Sequence, residues 1–243
     1  MLLRYDFHMH SCLSPCGDID MTPSNIAGMA KLAGYDVIAL SDHNSTKNCA
    51  AFLTACQNYG ITGVPGMELC TQEEVHVLCL FPDLSSASDF DEYVYKRLPD
   101  IKNKPDLFGE QLIVDENDHI TGMEDKLLIS ATDIGIYEVG TLVDKLGGVA
   151  IPAHINRTSF SILSNLGFYD ATLGFNVVEF SIDAEPGKIV AKNPDLTGVR
   201  FIVNSDAHML AAIPDASRVI EARGSSPLDI INAIKERKHI PEL

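Results

Sequence analysis

Two histidines separated by one residue, His8 and His10, close the first strand-like segment of this chain. Alternate residues on a strand face the same side, about 6–7 Å apart along it, so such a pair can offer two imidazoles to one metal ion. Asp206 and His208 repeat that spacing at the end of another segment. Asp42 and His43 end a second segment, Glu68 a third and His154 a fifth, while His76 opens the fourth and is the exception in register. Six of the eight histidines thus fall at strand ends. In parallel α/β folds the C-terminal strand ends form the rim on which active sites are built. A single histidine is ordinarily an inert, hydrogen-bonded core residue. Six of them gathered with Glu68 and Asp206 would be expensive to bury without an ion, and imidazole is the commonest side-chain ligand. The chemistry that this set suggests is therefore metal-assisted.

The elements that must hold these residues are legible as alternating patterns. Strand-like apolar runs cover residues 4–10, 35–40, 61–69, 75–81, 148–155, 175–182 and 200–204. Helical segments fall at 24–33, 46–59, 137–146 and 227–238, the first with Thr22 and Pro23 ahead of it and Gly34 behind, a cap pair. Such alternation predicts an α/β barrel or a doubly wound sheet. No glycine-rich phosphate loop follows the first strand, which argues against a nucleotide-binding Rossmann unit. The polar stretch 83–130 breaks the alternation and reads as an insertion that caps the pocket, with a hairpin over 111–121 turning near 116–118. The whole chain, 1–243, reads as a single domain.

Charge narrows the partners. Lys and Arg number 18 against 34 Asp and Glu, a net charge of −16, which argues against a broad nucleic-acid-binding surface or a polybasic membrane anchor. At 46% hydrophobic and 21% charged residues the chain is globular rather than disordered. No apolar run is long enough to span a bilayer, and residues 1–6 lead straight into a strand rather than a signal peptide, so the expected compartment is the cytoplasm. The six cysteines are read as free thiols. Cys12 and Cys16 could enter a metal site only with a matching second pair, and none is present.

Six motifs, taken in order, resemble one family. They are Asp6-Phe7-His8-Met9-His10-Ser11, Ser41-Asp42-His43-Asn44, Gly66-Met67-Glu68-Leu69, Glu74-Val75-His76-Val77, Pro152-Ala153-His154-Ile155 and Asn204-Ser205-Asp206-Ala207-His208. As an ordered set they resemble the PHP (polymerase and histidinol phosphatase) family, and within it the stand-alone bacterial metal-dependent phosphoesterases. That resemblance implies a distorted (β/α)7 TIM-like barrel and a trinuclear site. The first ion would take His8, His10, Glu68 and Asp206. The second would share Glu68 and add His76 and His154. The third would take His43, His208 and a residue of the loop after the first strand. Close relatives have Ser-Asp-Gly there, whereas this chain reads Ser14-Pro15-Cys16-Gly17-Asp18-Ile19-Asp20. The spacing to Pro23 selects Asp18, with Asp20 as the alternative.

The reaction expected from this set is hydrolysis of a phosphate ester by a metal-bridging hydroxide, two ions about 3.5–4 Å apart lowering the pKa of a shared water. Three divalent ions (Zn, Mn or Fe) suit imidazole and carboxylate donors. They would make the pocket locally positive, fitting a small phosphorylated substrate or a short oligonucleotide end better than long nucleic acid. Arg157, three residues after His154, has the planar fork that grips phosphate oxygens. His43 or His208, if freed from ligation, would protonate the leaving group. Asp42 is read as orienting His43 or capping the next turn, Glu179 is unassigned, and His119 and His239 are read as ordinary exposed residues. The competing readings are a metal-dependent amidohydrolase, disfavoured because no lysine lies in a predicted strand to be carbamylated, and a non-catalytic metal-binding PHP module.

Overall fold

The computed structural model describes residues 1–236, so the last two residues of the helix expected over 227–238, and His239, lie outside the described residues. The first half of the chain forms β1 (Leu2–Met9), α1 (Pro23–Ala33), β2 (Val37–Leu40), α2 (Cys49–Tyr59), β3 (Thr62–Cys70), β4 (His76–Leu80), α3 (Leu84–Tyr95), α4 (Pro105–Phe108), β5 (Leu112–Val114) and β6 (Ile120–Met123). The second half forms α5 (Ile136–Lys145), β7 (Val149–Pro152), α6 (Ile162–Asn165), β8 (Val177–Ser181), α7 (Pro186–Lys192), β9 (Arg200–Asn204), β10 (Val219–Glu221) and α8 (Pro227–Lys235).

Six strands make one curled sheet in the order β10-β1-β2-β3-β4-β7, and β8 and β9 form a separate parallel pair. β1, β2 and β3 are mutually parallel, β4 turns back antiparallel to β3, and β7 runs antiparallel to β4. The expected (β/α)7 barrel is thus realised as a mixed α/β fold whose strand ladders are not continuous. A few backbone bonds bridge the gaps: Ile155 N–H donates to the Glu179 carbonyl at 2.9 Å on one side, and on the other His10 N–H donates to the Ala207 carbonyl at 3.0 Å and Ala207 N–H to the His8 carbonyl at 3.3 Å. The curl is filled. Leu3, Tyr5, Phe7, Val37, Val64, Leu78, Ile151, Val177, Ile202 and Ile220 meet Ile230 and Ile234 of α8 in one buried cluster, so the interior is a packed core, not a pore.

Local chemistry explains the boundaries. Thr22 caps α1 by accepting from Asn25 N–H, Pro23 opens the helix, and Gly34 ends it at φ 90°, a left-handed conformation that glycine adopts without penalty. Helix α2 starts at Cys49 rather than at residue 46. Asn48 makes no cap because its side-chain amide donates to the Leu112 carbonyl and its oxygen accepts from Val114 N–H. The stretch 83–130 holds a helix that sequence reading did not assign: Ala87, Phe90 and Val94 of α3 are buried against β3, β4 and α5. The expected hairpin is present as β5 and β6. It docks on the start of α1, where the Asp118 carboxylate accepts from Thr22 Oγ1 at 2.7 Å and Ser24 N–H at 3.2 Å. Among the described residues no helix is long and apolar enough to cross a membrane.

Candidate metal centre

Two isolated parallel bridges, Met9 with Ala207 and His43 with Glu68, extend the ladders beyond the strand ends and set the histidine motifs side by side. The β1–β2 register shifts between Asp6 and Met9, an irregularity of the kind that re-aims side chains beside active sites. It separates Phe7, which packs inside the curl, from Met9, which packs among α1 and α2. The antiparallel run of β4 accounts for His76: its N-terminal end lies at the rim that the parallel strands reach with their C-terminal ends, and Cys70 pairs with His76. His154 and Asp206 have φ of 28° and 54°, conformations that non-glycine residues hold only where the surroundings impose them.

Glu68 is the hub. Its Oε1 lies 2.9 Å from His76 Nδ1, 3.0 Å from His154 Nε2 and 3.3 Å from His8 Nε2. Its Oε2 lies 2.9 Å from His43 Nδ1 and 3.4 Å from His10 Nε2. Asp206 Oδ1 sits 3.2 Å from His8 Nε2, 3.1 Å from His10 Nε2 and 3.5 Å from His208 Nδ1. Among the described residues three groups of donors converge within 4.8 Å: His8, His10 and Glu68; His43, Glu68 and His76; and His10, His43 and His208.

The outer contacts decide which ring nitrogens are free. His8 Nδ1 meets Glu179 Oε1 at 2.9 Å, and a carboxylate only accepts, so Nδ1 carries the proton and Nε2 points its lone pair into the centre. Glu179 also accepts from His154 N–H at 2.8 Å and Asn204 Nδ2 at 2.6 Å. On the other side Ser14 Oγ donates to Asp42 Oδ1 at 2.7 Å and stands 3.0 Å from His10 Nδ1. With its own proton committed to Asp42, the serine oxygen accepts from His10, and the His10 Nε2 lone pair is also left facing inward. Asp42 further accepts from Ser11 N–H at 2.7 Å and Ser11 Oγ at 2.6 Å, fixing the loop after β1 to the loop after β2.

The two Nε2 atoms then face each other at 3.0 Å. Opposed lone pairs at that distance require a proton or a metal cation at the site. Without a metal the demand appears as a divided proton affinity. Burial opposes charge on His8, but Asp206, Glu179 and Glu68 outweigh it and hold its pKa well above the usual histidine value. Burial and the neighbouring His208 and His43 hold His10 well below. Burial resists ionisation of Glu68, yet His76, His8 and His43 keep its pKa far below the usual carboxylate range. Asp206 is lowered likewise, against burial, by His8 and His10. Glu68 Oε2, Asp206 Oδ1, His43 Nδ1 and His154 Nδ1 are buried and have no hydrogen-bond partner. The 2.9 Å approach of His43 to Glu68 therefore lacks the alignment of a hydrogen bond. Convergent imidazole and carboxylate donors, several of them buried without a hydrogen-bond partner, fit divalent metal binding in place of the protons that His8 otherwise retains.

Every metal ligand expected from the sequence except Asp18 lies in this cluster. Asp18 is exposed and its Oδ1 accepts from Asp20 N–H at 2.9 Å, while Asp20 is exposed as well. Arg157 stands at the mouth, 45% exposed, with Nη1 2.6 Å from Asp206 Oδ2. His119 is exposed as expected, near Asp115. Two residues that sequence reasoning did not place are Glu179, buried behind His8, and Cys16. Burial raises the Cys16 thiol, but hydrogen bonds with His208 and His43 bring its pKa down to about 6. A signal for Glu179 existed in the acidic residue interrupting an otherwise apolar β8.

The rim of the curled sheet thus gathers six histidines and Asp206 around the central carboxylate of Glu68, a donor set able to hold metal. The model of the PHP domain family matches residues 6–203, and the chain belongs to that family. None of the curated proteins compared matches it. Among solved structures, the lesion-specific endonuclease Q of Pyrococcus furiosus superposes with a TM-score of 0.66 at 18% identity, covering 99% of this chain and 58% of that one. This chain thus spans little more than half of the endonuclease. A candidate metal-dependent phosphoesterase of Bifidobacterium adolescentis gives 0.57 at 19% identity, covering 95% and 96%. An amidohydrolase of Chromobacterium violaceum gives 0.60 at 17% identity, covering 98% of each chain. Family membership and the donor cluster together support a metal-dependent hydrolase.

Proposed function

We propose that the protein hydrolyses phosphate esters, with a small phosphorylated molecule or the end of a short oligonucleotide as substrate. The observation that carries this reading is Arg157, whose guanidinium reaches Asp206 Oδ2 at the edge of the histidine–carboxylate cluster. A fork of N–H donors beside a metal centre suits a phosphoryl group's paired oxygens. Depth supports approach from that side, since His8 and His10 are 0% exposed while the His208 side chain is 25% exposed.

In this reading His8, His10, Glu68 and Asp206 hold one ion, Glu68, His76 and His154 a second, and His43 and His208 a third with a donor from the loop after β1. Such ions, when bound, acidify water and neutralise phosphoryl charge. The chain's own residues do the rest. Glu179 and the Ser14–Asp42 relay hold His8 and His10 in the tautomers that ligation needs. Arg157 positions the phosphoryl oxygens, and His43 or His208, where not committed as a ligand, hands a proton to the leaving oxygen. The (β/α)7 description of the barrel, the single-domain organisation and the capping role of 83–130 belong to the same reading, as does a cytoplasmic setting. The net charge of −16 disfavours extended contact with long nucleic acid, although the endonuclease neighbour was solved with a 27-mer duplex bearing an abasic lesion at its active site.

The amidohydrolase neighbour keeps C–N hydrolysis as the second reading. Against it, β1–β10 contain no lysine to carbamylate. The test is phosphate release from a nucleoside bisphosphate, a short oligonucleotide, histidinol phosphate and an aryl phosphate, with Mn2+ or Zn2+ added and His10→Ala alongside. Metal-dependent turnover that vanishes in the variant is expected. Folded, metal-loaded protein that cleaves none of these esters refutes the proposal and moves the assignment to amide substrates.

A further inference from the structure

The loop between β7 and α6 brings two unlike side chains to the mouth of the centre. Arg157 N–H donates to the His154 carbonyl at 2.9 Å, and the Arg157 carbonyl accepts from Ser161 Oγ at 2.8 Å. Asn156 Oδ1 accepts from Ser181 N–H at 2.9 Å, which ties the loop to the end of β8. Three residues beyond Arg157, the Phe160 carbonyl accepts from His76 N–H at 2.9 Å. The Phe160 ring stacks on the His76 imidazole with centroids 4.8 Å apart and planes at 27°. That imidazole has its Nδ1 2.9 Å from Glu68 Oε1, so the phenyl ring lies directly beside the donor cluster. Phe160 nevertheless remains 42% exposed. Its φ is 52°, in the left-handed region where a bulky residue is an outlier. Glycine would hold this backbone without penalty. The chain instead keeps a strained backbone that presents a large apolar ring to solvent beside the histidines, and strain of this kind clusters at ligand clamps.

We propose that Phe160 is a base-stacking platform and that the substrate is accordingly a nucleoside phosphate, its nucleobase laid against the Phe160 ring and its phosphoryl group held at Arg157. The inference rests on the phosphate-ester reading of the site and names the substrate class. Every nucleobase has a π-face, and stacking on an aromatic side chain needs no particular base. The spacing fits. Cα atoms three residues apart are separated by no more than about 11 Å, so one molecule whose base and phosphate hang from a single ribose can meet both ring and guanidinium. The charge fits as well. Arg157 answers the phosphate, while the ring supplies contact that needs no cation, which suits a chain with 18 Lys and Arg against 34 Asp and Glu. Stacking remote from the reacting atoms acts alike on bound substrate and transition state, so its loss should fall on KM.

The test uses the full chain loaded with Zn2+. In Phe160→Leu the ratio of kcat/KM on a nucleoside bisphosphate to that on glycerol phosphate should fall about 5–150-fold, the worth of stacking one base, with the loss carried by KM. Leucine keeps apolar cover over His76. A fall that is equal on the two esters, or matched by a loss of bound Zn2+, therefore assigns the ring to shielding that histidine and overturns the inference, as does an unaltered ratio. A second variant reads binding without turnover. The chain has no tryptophan, so Phe160→Trp places a sole indole at the platform. Adenosine monophosphate should quench its fluorescence saturably and glycerol phosphate should not; equal responses to both, or none to either, refute stacking. This variant carries the comparison should Phe160→Leu fail to fold. Wild-type protein that cleaves no phosphate ester overturns the phosphate-ester reading, and saturable quenching by the nucleotide would still leave Phe160 as a base platform. Absence of both cleavage and quenching overturns the two together.

Discussion

Glu179→Gln removes one charge, changes no volume, and lies one layer behind the expected ligands. The wild-type carboxylate accepts from three nitrogen donors: His8 Nδ1 at 2.9 Å, His154 N–H at 2.8 Å and Asn204 Nδ2 at 2.6 Å. A glutamine offers one acceptor oxygen and two N–H groups, so at least one of those donors must face an amide nitrogen. Leaving one buried donor unsatisfied costs about 1–3 kcal/mol. For a chain of this size that corresponds to about 2–12 °C in the melting temperature. The effect on metal is separable. His8 loses the carboxylate that fixes its Nδ1 proton, and loss of such an orienting partner costs about 10–100-fold in metal affinity, or about 1.4–2.7 kcal/mol. Competition with a chromophoric chelator gives the affinity and a thermal melt without metal gives the stability. Turnover on the best phosphate ester at saturating metal should recover most of its rate if Glu179 only positions His8. Wild-type metal affinity in Glu179→Gln would refute the tautomer argument, even if the melt shifted as expected.

Arg157→Lys keeps the charge and loses the fork. Metal content and melting temperature should stay near wild type because the side chain is 45% exposed. The ratio kcat/KM on a phosphate ester should fall about 10–100-fold, the worth of one charge-assisted hydrogen bond; a matching loss of bound metal would instead assign Arg157 to holding Asp206 in place. The second expectation concerns pH. His8 is held well above its ordinary pKa by Asp206, Glu179 and Glu68 against burial, and His43 is raised to about 10, against burial, by Glu68 and Cys16. Groups raised on folding stabilise below their unfolded pKa and lose that contribution as pH climbs through the folded value, so metal-free protein should melt progressively lower from pH 7.5 to 10. Each retained proton is worth about 1.4 kcal/mol per pH unit. The lowered thiol of Cys16 acts in the opposite sense below its unfolded pKa, and the raised buried thiols such as Cys49 add to the alkaline loss. Bound metal replaces the histidine protons, so metal-loaded protein should show a shallower decline over the same range by differential scanning calorimetry. Parallel pH profiles with and without metal would contradict this account.

The cluster was readable in the sequence where its geometry is a matter of short spacing. His8 with His10, and Asp206 with His208, are each two residues apart at strand ends, and Met9 pairing with Ala207 brings the two motifs together. His76 was readable as a residue type but not as a position, because the pattern of a buried apolar strand is the same whichever way it runs. Only the pairing of Glu68 with Leu78 and Cys70 with His76 puts its N-terminal end on the right rim. α3 was missed for a different reason. Its twelve residues are mostly polar or small, and its fully buried apolar residues are Ala87, Phe90 and Val94. The partners that set protonation were hidden for a third reason. Glu179 meets His8 across 171 positions of sequence, and no local period records such a contact. Cys16 was set aside because no second cysteine pair accompanies it, an argument that looks for thiolate partners along the chain. The lowering of its thiol to about 6, against burial, by His208 and His43 is a tertiary effect that no spacing along the chain records. A ligand's type and period are local facts, whereas its tautomer and its neighbouring donors are properties of the closed sheet. The residues most open to revision by structure are therefore those that tune the metal, and less so those that first suggest it.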